Sequence, residues 1–282
     1  MKQNQYIQHF IFVLVFIIAL CLFTACHHSP FSKAYLTIDQ VVDDINKEYI
    51  ELHGIGYIQS ARVYKYYSQD KIVDIHVKNT EISDTELNMG IKLDLFNERQ
   101  NRAIELFQFI IQGLDEKYRV LFDSISSFKY SARFNIQSSN DTAIAIVNLS
   151  PSKIKEALSK ESFTDKDEFA IHFYCKFSNM LTPYMLDDDT TCDSVYIDQN
   201  NIVFKYQVND KNAPFDKIDK QQLRAKTINL YKEGINLSEK LIRCLYDTNR
   251  GIRYYFHGKV SGENIVIQLS ENDVKELYFH RI

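Results

Sequence analysis

The chain has 282 residues, of which 45% are hydrophobic and 25% charged, and its formal net charge is −4. This composition excludes disorder over most of the length, and the mild acidity gives no electrostatic footprint for nucleic acid or an anionic membrane surface. Glycine and proline are scarce, at 8 and 4 residues, as expected of regular elements joined by short connections.

The first segment carries Lys2 as its only early side-chain charge and then an apolar run from Phe10 to Phe23. That run suits a signal-peptide core and is short for a bilayer-spanning helix, which needs roughly 20 residues. The tetrapeptide Phe23-Thr24-Ala25-Cys26 resembles the lipobox of bacterial lipoproteins, with small residues before the cysteine and Phe23 where leucine is usual. The resemblance implies that residues 1–25 are a signal peptide, that Cys26 is lipidated and becomes the new N-terminus, and that residues 26–36 form a linker. It further implies attachment to the membrane through the lipid, in the bacterial cell envelope on the periplasm-facing side of the outer membrane. The alternative is an uncleaved anchor helix, which also places the remaining chain outside the cytoplasm.

From Thr37, an N-cap residue before an acidic first turn, the pattern predicts a helix and then strands over 61–67 and 70–79. Ala103, Phe107, Ile110, Leu114, Tyr118 and Leu121 recur at helical spacing and predict one long helix through Asp123. Alternation from Phe128 to Ile136 predicts a third strand. A fourth strand follows, and a short helix ends at Leu158.

The chain then repeats this order. A helix is predicted from Thr164, strands over 192–198 and 201–210, and a long helix from Ile228 to Asp247. At a displacement of 124, Ile104 lies over Ile228, Arg119 over Arg243, Leu121 over Leu245 and Asp123 over Asp247. In the last strand and helix the displacement becomes 120, with Leu149 over Leu269 and Lys155-Glu156 over Lys275-Glu276. Such fixed-offset similarity is the signature of internal repetition. The expected fold is therefore α+β, a tandem repeat of two modules over 37–160 and 161–282. Each reads helix, strand, strand, long helix, strand, strand, short helix, with an antiparallel sheet.

Catalytic patterns of the G-x-S-x-G, H-E-x-x-H, Walker and dinucleotide-glycine types are missing from the sequence, and no cofactor is expected. Asp187, Asp189, Thr191 and Asp193 fall at alternate positions, with Asp198 at the twelfth, as oxygen ligands do in a calcium loop. Against that reading, Cys192 stands where the turn requires glycine and Asp198 where glutamate is usual; a solvated acidic loop is the simpler reading. Cys175, Cys192 and Cys244 leave three possible disulfide pairings open. His172 with Cys175, and Asp74 with His76, are isolated pairs. Arg253, Tyr255, His257 and Lys259, with Lys129 and Arg133 in the first copy, form a basic strip on the strand face away from the core, a candidate surface for a ligand or partner. The favoured reading is a non-catalytic binding or interaction protein whose partner is another envelope protein or a small ligand. The alternative is a hydrolase-type enzyme or metal-binding protein that uses Asp187–Asp193.

Overall fold

The computed structural model describes residues 34–53, 55–65, 71–78, 93–137, 144–211, 215–232 and 239–281. The expected signal peptide, Cys26 and the expected turn at 68–70 lie outside them. Thr37–Ile282 form one compact unit, distinct from Met1–Leu36.

The first copy contains α1 (Ile38–Ile45), β1 (Glu51–Leu52), β2 (Gly56–Lys65), β3 (Lys71–Lys78), α2 (Leu93–Glu98), α3 (Gln100–Gln112), α4 (Glu116–Ser127), β4 (Ser131–Gln137), β5 (Ile144–Leu149) and α5 (Pro151–Leu158). The second contains α6 (Lys166–Leu181), β6 (Tyr184–Met185), β7 (Thr190–Asp198), β8 (Asn201–Val208), a 3-10 turn (Phe215–Lys217), α7 (Lys220–Lys232), α8 (Glu239–Asp247), β9 (Gly251–Gly258), β10 (Asn264–Leu269) and α9 (Glu271–Arg281). Thr37 caps α1 as expected, accepting from the Gln40 amide. The cap of α6 is Asp165 rather than Thr164, because its carboxylate takes both the Asp167 and Glu168 amides.

The fold is the expected α+β repeat, with two separate five-stranded sheets ordered β1-β2-β3-β4-β5 and β10-β9-β8-β7-β6. The sheets are mixed rather than wholly antiparallel. Strands joined by short turns pair antiparallel, but β3–β4 and β8–β9 pair parallel. A helical crossover carries the chain back to the end of the sheet where the preceding strand began, which makes the next strand parallel. Val73, Ile75, Ala132, Phe134, Val147 and Leu149 of the first sheet are buried on the helix-covered side, as are Ile202, Phe204, Ile252, Tyr254, Ile265 and Leu269 of the second.

The predicted long helix of the first copy is two helices. Its stripe continues in phase across the break, but Gly113 closes α3 and Asp115 stands in extended conformation before α4. The matching stretch of the second copy, 233–238, is outside the described residues.

The structural offset from α3 to the end of the repeat is 120, not 124. Ala132 pairs with Leu149 as Ile252 pairs with Leu269. Lys129 and Asn249 both take the left-handed conformation after their helices, with φ of 62° and 53°. The Tyr130 amide bonds to the Ile125 carbonyl as the Arg250 amide bonds to that of Leu245. Leu245 therefore corresponds to Ile125, and the β4–β5 and β9–β10 connections are equal in length. A slip of four residues is about one helical turn and two strand periods, so it preserves both patterns on which the sequence match rested.

An asparagine repeats with the fold. Each sheet's second strand bulges, between Ile58 and Ser60 in β2 and between Cys192 and Ser194 in β7. Just past the bulge the edge of the strand has no partner strand among the described residues. Asn46 meets it there: its amide donates to the Ala61 carbonyl at 2.9 Å, and its oxygen accepts from the Ala61 amide at 2.7 Å. Asn179 does the same for Val195. Each side chain substitutes for one residue of a missing strand and ties the first helix of its module to the sheet. Asn46→Ala and Asn179→Ala are each expected to lower unfolding free energy by about 1–3 kcal/mol, because a backbone amide and carbonyl lose their partners. Urea denaturation of each variant checks this.

Candidate functional site

The outer sheet faces are paired within themselves. Arg133 Nε and Nη2 donate to the two Asp74 carboxylate oxygens, each at 2.9 Å, and Asn135 donates to the same carboxylate. Burial alone would raise the Asp74 pKa, but the Arg133 and Asn135 hydrogen bonds outweigh it and hold the group below its ordinary value. Asp74 therefore serves Arg133 rather than acting as an acid–base partner of His76. In the second copy Arg253 donates to Asp198 and to Gln268, both at 2.9 Å. Lys205 Nζ lies 5.3 Å from the Tyr196 ring centre and 5.8 Å from that of Tyr255. His257 Nδ1 is 2.9 Å from the Asn264 side-chain oxygen. Arg253, Tyr255 and His257 thus share the outer face, as Arg133 does in its sheet. Lys129 and Lys259 stand in turns beyond the strand ends. Both arginines of the strip spend their charge on a carboxylate of their own sheet.

The acidic residues serve a hairpin. Asp187 accepts from the Asp189 amide, and Asp189 accepts from the Asn209 side chain at 3.0 Å. Thr191 and Asp193 lie in β7, and Asp198 is at the far end of that strand, bound to Arg253. Eight residues of strand span roughly 26 Å, so Asp198 does not join the others. Among the described residues no group of three or more His, Cys, Asp or Glu could hold a metal ion. His172 pairs with Glu168 at 3.2 Å. Cys175, Cys192 and Cys244 are buried free thiols, and burial pushes that of Cys175 up to about 12.

The concave feature built from both copies lies at their junction. Helix α6 ends at Thr182, where last-turn carbonyls have no partner within the helix. Arg99, before α3, donates to the Met180 carbonyl at 2.8 Å and to that of Thr182 at 2.6 Å. Arg102 donates to Asn179 O at 2.9 Å and also to Thr182 O. Two positive charges therefore sit at the negative end of the α6 dipole. Toward the start of α6, Phe109 of α3 stacks on Phe169 with centroids 4.9 Å apart and planes 7° from parallel. Phe163 packs edge-on against both rings, and His53 edge-on against Phe169 and Phe173. A side chain at Gly113 would run into the Phe169 ring, so the glycine permits this approach. Arg119 holds the connection between copies, donating to Gln112 O, Leu158 O and Lys160 O.

Beside this contact is a cleft of about 400 Å³ formed by three segments remote in sequence: 49–53 around β1, 110–118 at the α3–α4 break, and 163–169 at the entry to α6. Its size falls in the range of small-molecule sites. Ile110, Leu114 and Phe169 form an apolar floor, Tyr49, Tyr118 and Phe163 contribute rings, and Glu51, Asp115 and Lys166 are exposed at the rim. The Tyr118 hydroxyl donates to the Tyr49 carbonyl at 3.0 Å and fixes that wall. None of these cleft residues was singled out as a site from the sequence.

No protein-family model matches the chain, and no curated protein matches it. Among solved structures, a candidate secreted protein from Pseudomonas aeruginosa aligns at 12% identity with a TM-score of 0.32, over 40% of this chain and 99% of that one. A likeness at that level carries no argument about fold or function here. No described helix is long and apolar enough to cross a membrane.

Two outcomes follow from this geometry. Gly113→Ala should lower unfolding free energy by about 1–3 kcal/mol through overpacking, and the loss should shrink when Phe169→Ala is also present; a double-mutant cycle measures it. The Asp74 carboxylate has a folded pKa below its unfolded value of about 4, so its pairing stabilises the fold above that pH and ceases to do so as pH falls through the folded value. Asp74→Asn should therefore be less stable than the unaltered chain at pH 7. The gap should close in acid, which denaturation at stepped pH will read.

Proposed function

We propose that this chain is a lipid-anchored, periplasm-facing binding protein of the bacterial cell envelope, and that its ligand occupies the cleft between the copies. The observation that carries the reading is the cleft itself: an apolar floor and aromatic walls drawn from three remote segments and held open by the junction. Duplication supplies a second, similar module, and the contact between modules creates a concavity that neither has alone. Binding is preferred to hydrolysis or metal chemistry because Asp187 and Asp189 are committed to their hairpin and Asp198 to Arg253. The outer sheet faces are weaker candidates because their arginines are already neutralised.

The anchor rests on the resemblance of Phe23–Cys26 to a lipobox. A lipidated cysteine would hold the chain at the membrane through acyl chains that each contribute about 0.8 kcal/mol per buried methylene. The test joins both parts. Cys26→Ala should abolish incorporation of labelled fatty acid and leave a heavier precursor; unchanged labelling contradicts the anchor. Native mass spectrometry of the lipidated protein from its own membrane should find a small molecule that Tyr49→Ala with Phe163→Ala loses. A bound molecule retained by that variant contradicts the placement in the cleft.

A further inference from the structure

We infer that the cleft takes a small organic cation, a protonated or quaternary amine on a flat apolar body; this rests on the cleft being the binding site. The walls suit a flat body. Tyr49 is 63% exposed as a residue, and its ring is held by stacking on Tyr57, with centroids 5.1 Å apart. Phe163 is locked against Phe109 and Phe169 at 5.3 Å from each. Rings fixed in this way offer their surfaces at little entropic cost.

The charge at the rim suits an amine. Glu51 and Asp115 supply two carboxylates against the single ammonium of Lys166. Asp115 stands at the N-cap of α4 yet makes no capping hydrogen bond with its side chain. Among the described residues, neither it nor Glu51 nor Lys166 has an ion-pair partner. Their charge is therefore available, unlike that of Asp74 or Asp198 on the sheets.

The same wall already shows how an ammonium is held there. Lys117 Nζ lies 4.4 Å from the Tyr118 ring centre and 3.2 Å from Glu48 Oε2, so one cation meets a ring and a carboxylate together. Behind the floor, Lys176 Nζ is 5.3 Å from the centre of the Phe109 ring. The cleft presents the same pair of partners, an exposed tyrosine ring and a carboxylate rim, with Lys166 as its one lining lysine among the described residues. A cation over a ring face is attracted by the ring quadrupole, and two nearby carboxylates add to that attraction.

The experiment uses three probes with one aromatic body and three charges: tryptamine, indole and indole-3-acetate. They are titrated into the full-length protein in detergent by calorimetry. Tryptamine should bind about ten-fold more tightly than indole, and indole-3-acetate more weakly than either. Glu51→Gln with Asp115→Asn should remove the preference for tryptamine while leaving indole binding in place, and Lys166→Gln should strengthen tryptamine binding. Indole binding lost in Tyr49→Ala, but with no preference for tryptamine, would keep the cleft as a site and overturn the cationic ligand. Binding of none of the three probes would overturn both.

Discussion

Two arginines on the C-terminus of one helix hold this molecule together. Arg99 and Arg102 belong to the first copy, yet the carbonyls they satisfy belong to α6 of the second. Hydrogen bonds from a charged donor are each worth about 1.5–3 kcal/mol, and cations at the end of a helix add to that. With the α6 C-terminus fixed, its N-terminal part lies along α3 and brings Phe169 against Phe109 and Gly113. The cleft lies at the break between α3 and α4, so its shape depends on this docking.

The copies share a fold and have diverged at the junction. At the structural offset of 120, Arg99 corresponds to Asp219. Arg99 caps nothing in its own helix and reaches across to α6, whereas Asp219 accepts from the Gln221 and Gln222 amides as an ordinary N-cap of α7. Phe109 corresponds to Asn229, an exposed residue of α7. On the other side, the α6 positions His172, Phe173 and Lys176 correspond to Asp39, Gln40 and Asp43 on α1, all exposed. Each sticky surface thus occurs once, and the outward counterparts are polar. A two-copy array ends itself in this way without separate capping elements.

Much of this was legible in the sequence. Period-two and helical patterns gave the element order, the duplication and the α1 cap at Thr37. They could not give the register, because a slip of four residues costs neither pattern anything. They also hid the α3–α4 break, since the stripe through Leu114 and Leu121 continues in phase. The asparagine clamps were invisible for a different reason: Asn46 and Asn179 near helix ends read as solvated polar residues, and their meaning depends on a bulge in a strand fifteen or sixteen residues away. The cleft is less legible still. Tyr49, Asp115 and Phe163 form no motif, and tertiary packing alone makes them neighbours.

The account depends on the junction being what makes two modules one cooperative body, and differential scanning calorimetry tests that most directly. The unaltered chain should unfold in a single transition. Arg99→Ala with Arg102→Ala and Phe169→Ala should split it into two, each module unfolding on its own. Two transitions in the unaltered chain, or one transition at an unchanged temperature in the triple variant, would contradict it.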